Sequence, residues 1–379
     1  MEARLPDVMK YVAEYLGLKQ WTFRREQLSD SIENYFGILI PVTLTENANK
    51  QQKDISLFVK FAPNTIEELK SVTKQHYEAE IYTYTVLIPS YKEITNLNLN
   101  EFFPECYYTS LEEERQVLVL RDMRSKGYQR YEKSRYLDVD HTITSLKALA
   151  KFHALSAIYK EKGNIFNNEK MKPFSEKHPE MYFNYIKESL QKHLHLFVGT
   201  IYENFTKSLE KDIVSNIRHA TSKVRYLVYG HGDFWKENML FKYENEAPVQ
   251  ACVLDFQKSR IMSPAQDIIQ FLFTNVELVN IRRHLQDFLQ IYLNELHYIL
   301  QNNGLSDIYS INDLKYDIKI VLPYSLCVIF MGYSLFFGLQ KDSIVPSKNA
   351  CDESSARALY KKTVINILEY MNSINYITF

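Results

Sequence analysis

The sequence is poor in glycine and cysteine and carries almost no net charge. Its four cysteines, Cys106, Cys252, Cys327 and Cys351, are scattered over 379 residues without a C-x-x-C pair or a matching histidine spacing. That excludes the common zinc sites and a small disulfide framework. Isolated thiols suit a reducing compartment, so a cytoplasmic location is expected. Lys and Arg number 45 against 46 Asp and Glu, a balance that excludes nucleic acid or an anionic membrane surface as the main partner. Residues 1–10 lack the basic-then-apolar pattern of a secretory signal, and without one the sequon Asn204-Phe205-Thr206 is expected to stay unmodified. Internal repeats and low-complexity tracts are absent. Against only 10 Gly stand 28 Tyr and 22 Phe, which points to an aromatic-rich interior with scope for an apolar ligand.

What is present is ordinary for a globular chain: 46% hydrophobic and 24% charged residues, enough for a substantial core. At about 150 residues per domain, the length allows two or three folding units. Residues 320–339 form an uncharged run long enough to span a bilayer. The run contains Pro323, Tyr324, Ser325, Gly332, Ser334 and Gly338 and is flanked by charges of both signs. A buried core helix is therefore expected rather than a membrane anchor.

The first third reads as mixed α/β. Residues 38–45 and 55–61 are apolar, β-branched runs separated by a polar stretch, which predicts an antiparallel pair. Helical spacing covers residues 67–87, with Pro89 expected to stop it, and residues 117–120 read as a short buried strand. From His141 the chain is mostly helical, with Leu146, Leu149, Ala150, His153, Ala154 and Ala157 on one face. Strand character returns at 225–229, 238–243 and 249–254. The layout predicts two lobes joined near residue 120: an N-terminal lobe of residues 1–120 and a C-terminal lobe of residues 121–379.

The chemistry concentrates in His231-Gly232-Asp233-Phe234-Trp235-Lys236-Glu237-Asn238 and Leu254-Asp255-Phe256-Gln257. Phosphoryl transfer from ATP needs a carboxylate to orient and deprotonate the attacking hydroxyl, and oxygen ligands for a Mg²⁺ that neutralises charge on the phosphates. Asp233 suits the base, Asn238 and Asp255 the metal ligands. Singly, each is more often a turn or cap residue; the ordered set is what points to catalysis. A cation for the phosphates is also needed. Lys60 lies in the apolar strand Ser56-Leu57-Phe58-Val59-Lys60-Phe61, where an unpaired ammonium is costly. A carboxylate partner is thus expected: Glu80 on the following helix, with Glu78 on another face as the rival. The alternative for Lys60 is an edge-strand lysine reaching to solvent.

Several stretches, in this order, resemble the ecdysteroid kinase-like (CHK kinase-like) family, in the aminoglycoside and choline phosphotransferase branch of the protein-kinase-like fold. They are Glu33-Asn34-Tyr35, Phe58-Val59-Lys60, Glu80-Ile81-Tyr82 up to Pro89, Leu118-Val119-Leu120 and Leu149-Ala150-Lys151-Phe152-His153-Ala154. The most specific are His231 to Phe241, Leu254 to Gln257 and Ser263-Pro264-Ala265-Gln266-Asp267. The resemblance implies an α+β, bilobal kinase-like fold: a small N-lobe with an antiparallel sheet and one main helix, and a larger, mostly helical C-lobe carrying the catalytic loop and substrate pocket. It implies ATP and Mg²⁺ as cofactors and a small-molecule alcohol as substrate, an ecdysteroid by analogy. By position, Lys60 binds phosphates, Glu80 holds Lys60, Asn34 lies in the nucleotide-covering turn, and the hinge at 118–123, with Leu120 and Asp122, meets adenine. Asp233 is then the base, and Asn238 and Asp255 bind Mg²⁺.

Two positions depart from the family's pattern. Arg121 stands where an acidic residue usually precedes the hinge Asp122, and Ile32 stands where a glycine usually opens the nucleotide-covering turn. Gly37, close behind, offers backbone freedom for approach to phosphate. Asp267 reads either as a brace for the catalytic loop or as a plain N-cap; His153 reads as a satisfied core histidine or a second brace, and His231 as architectural. The aromatic clusters at 128–136 and 181–185 are expected in the core. Within the same chemistry the alternative substrates are choline-like or xenobiotic alcohols. A different class of function is a catalytically silent kinase fold that binds a lipophilic ligand. The sequence gives no expectation of oligomeric state.

Overall fold

The computed structural model describes residues 2–27, 37–48, 51–63, 67–112, 115–164, 179–306, 308–339 and 352–379. The chain forms two compact units, one of residues 1–131 with 237–258, the other of residues 132–236 with 259–379. The segment 237–258 follows the His231–Lys236 stretch in the chain yet packs with the first unit.

In the first unit α1 (Leu5–Tyr15) precedes β1 (Trp21–Arg25), β2 (Ile38–Ala48) and β3 (Gln51–Phe61). After α2 (Glu67–Tyr82) and α3 (Ile88–Ile94) come β4 (Cys106–Ser110) and β5 (Val117–Arg121). The five strands make one antiparallel sheet in the order β1-β2-β3-β5-β4. The β2–β3 pair runs further than the apolar runs suggest, from Ile38 opposite Phe61 to Ala48 opposite Gln51.

Period-two alternation sorts the faces of this sheet. Ile40, Val42 and Leu44 of β2 and Ile55, Leu57, Val59 and Phe61 of β3 form one buried cluster with Leu5, Val8, Met9 and Val12 of α1. Burying a side chain of this size contributes roughly 1.5–3 kcal/mol. Phe58 and Lys60 consequently point to the other face, the side of α2.

Pro89 does not end the helix. Residues Thr83–Leu87 form a π-helical turn between α2 and α3, and Pro89 falls in the first turn of α3. A proline is tolerated there because its missing N–H needs no partner in that turn. The widened turn absorbs what would otherwise be a break.

The returning segment of this unit is a hairpin of β7 and β8, Met239–Glu244 and Ala247–Val253. Asn245 and Glu246 connect them with φ of 49° and 66°, the backbone sense that a two-residue hairpin turn needs to match strand twist. The Val253 N–H donates to the carbonyl of Phe102 at 2.9 Å, and Gln129 and Phe241 exchange both backbone bonds. Tyr128, expected in the core, is buried with Met123, Leu240 and Cys252.

The second unit is mostly helical. Its helices are α4 (Val139–Glu161), α5 (Pro179–Leu194), α6 (Glu203–Lys211), α7 (Ile213–Ser222), α8 (Pro264–Asn275), α9 (Leu278–Asn302), α10 (Ile311–Phe336) and α11 (Glu353–Ser373). Two short strands, β6 (Val228–Gly230) and β9 (Arg260–Met262), pair antiparallel. The expected strand at 225–229 is thus shorter and begins later. The uncharged run 320–339 falls largely in α10, the one helix among the described residues long and apolar enough to cross a membrane. Val321, Leu322, Leu326, Ile329 and Phe330 are buried in this unit, as expected of a core helix. Buried Asp317 anchors it, accepting from the Arg225 N–H at 2.7 Å, the Tyr309 hydroxyl at 2.8 Å and the Ser263 hydroxyl at 3.2 Å. Cys106, Cys252 and Cys327 are free thiols; Cys351 lies outside the described residues.

Candidate active site

In the first unit the alternation of β3 aims Lys60 at α2, and helical spacing brings Glu80 onto the facing side. The Lys60 ammonium donates to Glu80 Oε2 at 2.7 Å and to Asp255 Oδ1 at 2.9 Å. Lys60 is 4% exposed and Glu80 2%. Glu80, not Glu78, is therefore the partner, and the solvent-reaching alternative for Lys60 fails. Tyr77, one turn before Glu80 on the same face, places its ring 5.8 Å from the ammonium.

The charges are unequal: one buried cation serves two carboxylates. Burial opposes the charge on Lys60, but Asp255, Glu80 and Tyr77 outweigh it and raise its pKa. Burial pushes the Glu80 carboxyl up to about 7; Lys60 resists this and Asp255 adds to it.

Gly37 behaves differently from the expectation of backbone freedom. It has no positive φ; a Cβ there would stand 3.0 Å from Lys60 Cγ and 3.1 Å from the Tyr77 hydroxyl. Its value is the room it leaves over the lysine stem. Ile32 and Asn34 lie outside the described residues.

Asp255 follows β8 with a φ of 64°, a left-handed conformation that Asp tolerates better than most residues. The Leu254 N–H donates to the Asn238 carbonyl at 2.9 Å, so Asn238 is held one residue from Asp255. Phe256 is buried against Phe103 and Tyr84, at 5.7 and 5.3 Å between ring centres, which fixes the backbone just beyond Asp255. Together Asn238 and Asp255 offer an amide and a carboxylate oxygen, hard donors of the kind Mg²⁺ takes alongside waters and phosphate oxygens. Among the described residues no group of three or more His, Cys, Asp or Glu forms a closed metal cage.

Leu120 lies on β5 opposite Phe58, and the Asp122 N–H donates to the Ser56 carbonyl at 2.9 Å. The Asp122 carboxylate is engaged by Arg124, through its backbone N–H at 2.9 Å and its guanidinium at 2.7 Å. Arg121 pairs with Glu105 across the β4–β5 edge, which accounts for a basic residue at that position.

In the second unit Asp233 sits half-buried in the loop after β6. This loop is built around one buried carboxylate. Asp267 accepts from the His231 N–H at 2.7 Å, the Gly232 N–H at 2.8 Å and His153 Nε2 at 3.1 Å. The N-cap of α8 is Ser263, whose hydroxyl accepts from the Ala265 N–H. Asp267 is therefore a brace and not a cap. Burial alone would raise its pKa; the His153 hydrogen bond, the fields of His153 and His231, and the Gly232 N–H hold it below the usual range.

With Nε2–H given to Asp267, His153 Nδ1 accepts from the Tyr292 hydroxyl at 2.8 Å. Gly230 makes the close approach possible, since a Cβ there would stand 2.5 Å from Met262 Cγ and 2.7 Å from Asp267 Oδ2. Asn275 holds the far side of the loop, its Oδ1 accepting from the Lys236 N–H at 2.8 Å. Tyr77, Tyr292 and Asn275 carry no sequence signal: each is a common residue on a helix, and only three-dimensional placement gives it a role. Of the residues 181–185, Tyr185 is 46% exposed and so is not core; the side chains of 181–183 lie outside the described residues.

The family model of the ecdysteroid kinase-like family matches residues 31–305. Among curated proteins none is significantly similar in sequence. Among solved structures, the chain is similar to the GDP complex of wild-type aminoglycoside 2'-phosphotransferase-IIIa, at 11% identity and a TM-score of 0.47, covering 96% of this chain and 99% of that one. It is similar to spectinomycin phosphotransferase in complex with ADP and spectinomycin, at 10% identity and a TM-score of 0.47, covering 96% and 98%. It is also similar to the choline kinase LicA from Streptococcus pneumoniae, at 14% identity and a TM-score of 0.44, covering 97% and 100%.

Proposed function

The chain belongs to the ecdysteroid kinase-like family, whose chemistry is phosphotransfer to small-molecule hydroxyls, and from that premise we propose that it transfers the γ-phosphate of ATP to a hydroxyl of a small apolar molecule, in first place an ecdysteroid. The observation that carries this reading is the buried ammonium of Lys60 held at 2.7 and 2.9 Å by Glu80 and Asp255. A lysine so fixed has no reason to be buried for stability alone, since an apolar residue would serve as well or better. Two of its three N–H donors hold the carboxylates and the third is left for a phosphate oxygen.

The roles follow. Lys60 binds the ATP phosphates and Glu80 positions it. The backbone around Leu120 and Asp122 meets adenine, and Asn34 lies in the turn over the nucleotide. Asp233 accepts the proton of the substrate hydroxyl as its oxygen bonds to the γ-phosphorus and the bond to the β-phosphate oxygen breaks, releasing ADP. Mg²⁺ held by Asn238 and Asp255 would neutralise charge on the phosphate oxygens. Residues 1–120 then serve mainly nucleotide binding and residues 121–379 catalysis and substrate binding, in a cytoplasmic enzyme.

The test is product detection by mass spectrometry after incubation with Mg-ATP and a panel of ecdysteroids, sterols, choline and small alcohols. A phosphorylated product made by the wild type and not by Asp233→Asn supports the reading. Absence of any product together with absence of Mg²⁺-dependent thermal stabilisation by ATP would replace it with a silent, ligand-binding fold.

A further inference from the structure

Beside the Asp233 loop, within the second unit, a guanidinium stands in a box of aromatic rings. Arg135 Cζ lies 4.5 Å from the ring centre of Phe336, 5.1 Å from Phe337, 5.2 Å from Tyr136 and 5.7 Å from Tyr333. Trp235 extends the wall, its ring 6.1 Å from that of Phe336. The Trp235 N–H donates to the Asp233 carbonyl at 3.0 Å, so the wall begins two residues after the proposed base. Arg135 Nη2 is closed off from water and has no hydrogen-bond partner among the described residues.

Ring faces attract the delocalised charge of a guanidinium but do not satisfy its N–H donors. A charged donor cut off from water without an acceptor carries a standing penalty. Nη2 itself is shut away by the rings, but Arg135 as a whole is only half-buried, so an oxygen brought in by a ligand would meet its open N–H side and supply an acceptor that the guanidinium lacks among the described residues. Trp235, Tyr136, Phe336 and Phe337 are only half-buried, so an apolar ring system has surface to stack on next to that donor. A quaternary ammonium would want the same rings, and here they already hold a permanent cation.

We propose that Arg135, with Trp235, Tyr136, Phe336 and Phe337, is the site that selects the phosphate acceptor. It takes an uncharged or anionic ring-bearing alcohol that presents a hydrogen-bond acceptor oxygen to the guanidinium, and it turns away cationic alcohols. This rests on the assignment of Asp233 as the base, which places the box beside the reacting hydroxyl.

The experiment reads binding without ATP. Trp21 and Trp235 are the two tryptophans, so in a Trp21→Phe background the emission of Trp235 reports on the box. The probes are a hydroxysteroid bearing a ketone, the same steroid without the ketone, and choline. The ketosteroid is expected to change the emission, loss of the ketone to weaken binding about 10- to 100-fold, the range for a hydrogen bond to a charged group, and choline to leave the emission unchanged. Arg135→Met should reduce the ketosteroid to the affinity of its ketone-free analogue and let choline bind. Arg135→Lys, which keeps the charge, should still exclude choline, and it carries the test if the methionine variant does not fold.

Equal affinities for the two steroids, choline binding to the wild type, or no steroid binding to folded protein would overturn the proposal. So would an Arg135→Met variant that is less stable but ranks the three probes as the wild type does, the mark of a mere packing tie. Ketosteroid binding without phosphorylated product would count against the kinase reading and leave this site standing. Product formation indifferent to Arg135 would do the reverse.

Discussion

Replacing Lys60 with methionine keeps the length of the stem and removes the ammonium, leaving Glu80 and Asp255 as carboxylates that share no cation. Both ends of the Lys60–Glu80 pair are under a tenth exposed, and removing one partner of such a pair costs about 3–5 kcal/mol. The cost should depend on pH in a set direction. A carboxyl whose folded pKa lies above its unfolded value contributes stability in full below the unfolded value and loses it as the pH rises through the folded one. In the wild type that window runs from the ordinary value of 4.5 to about 7, worth roughly 3 kcal/mol at about 1.4 kcal/mol per pH unit. Without Lys60 the one influence holding Glu80 down is gone, so the window extends above 7. Lys60→Met should therefore track the wild type at pH 5, fall only slightly below it at pH 7 and be weaker by about 2 kcal/mol or more at pH 9, because the two differ only where the wild-type Glu80 has already ionised and the variant's has not. Adding Glu80→Leu should recover most of the loss, because an apolar replacement of a buried ion pair is often neutral or better. Urea unfolding followed by Trp21 emission in a Trp235→Phe background reads the unit that holds the triad. A loss below about 1 kcal/mol that is the same at all three pH values would refute the reasoning.

Asp233→Asn should fold and bind Mg-ATP as the wild type does while turnover falls about 10²- to 10⁴-fold, the usual scale for a general base; single-turnover kinetics check it. Asp255→Ala should abolish Mg²⁺-dependent nucleotide binding, measured by thermal stabilisation with ATP in the presence and absence of the metal. Asp267→Ala strips the His231 and Gly232 N–H groups of their acceptor, each worth about 1–3 kcal/mol when left buried and unpaired, so both melting temperature and turnover should drop. Gly230→Ala would force a Cβ to 2.5 Å from Met262 Cγ, and amide exchange should show the loop around Asp233 opening more readily than in the wild type.

Much of the site was legible because its signals are local. An apolar strand with one lysine predicts a buried ammonium, and helical spacing sets Glu80 and Glu78 on different faces. What failed was nonlocal or too short to show periodicity. The strand β1 has five residues with alternating exposure, and α1 and β4 also escaped notice. Pro89 misled because the π turn at Thr83–Leu87 has no compositional mark. Asp267 matched a cap by position, and only the presence of Ser263 at the true cap released its carboxylate for the loop. That residues 237–258 join the first unit follows from contacts more than 100 residues apart, such as Val253 with Phe102, which no window of sequence contains.

That interleaving bears on how the protein is made. The first unit cannot close until the chain has been synthesised through residue 258, because Asp255, Phe256 and the β7–β8 hairpin arrive more than a hundred residues after β5. Until then the nascent sheet has Lys60 with only Glu80 to hold it and leaves the apolar surfaces of Phe103 and Tyr84 uncovered. Exposed surface of this kind invites aggregation and chaperone capture. A fragment ending at residue 131, though it contains all five strands of the sheet, is by the same logic an unfinished object, and the order in which the ribosome delivers the chain makes the intervening 105 residues wait beside it.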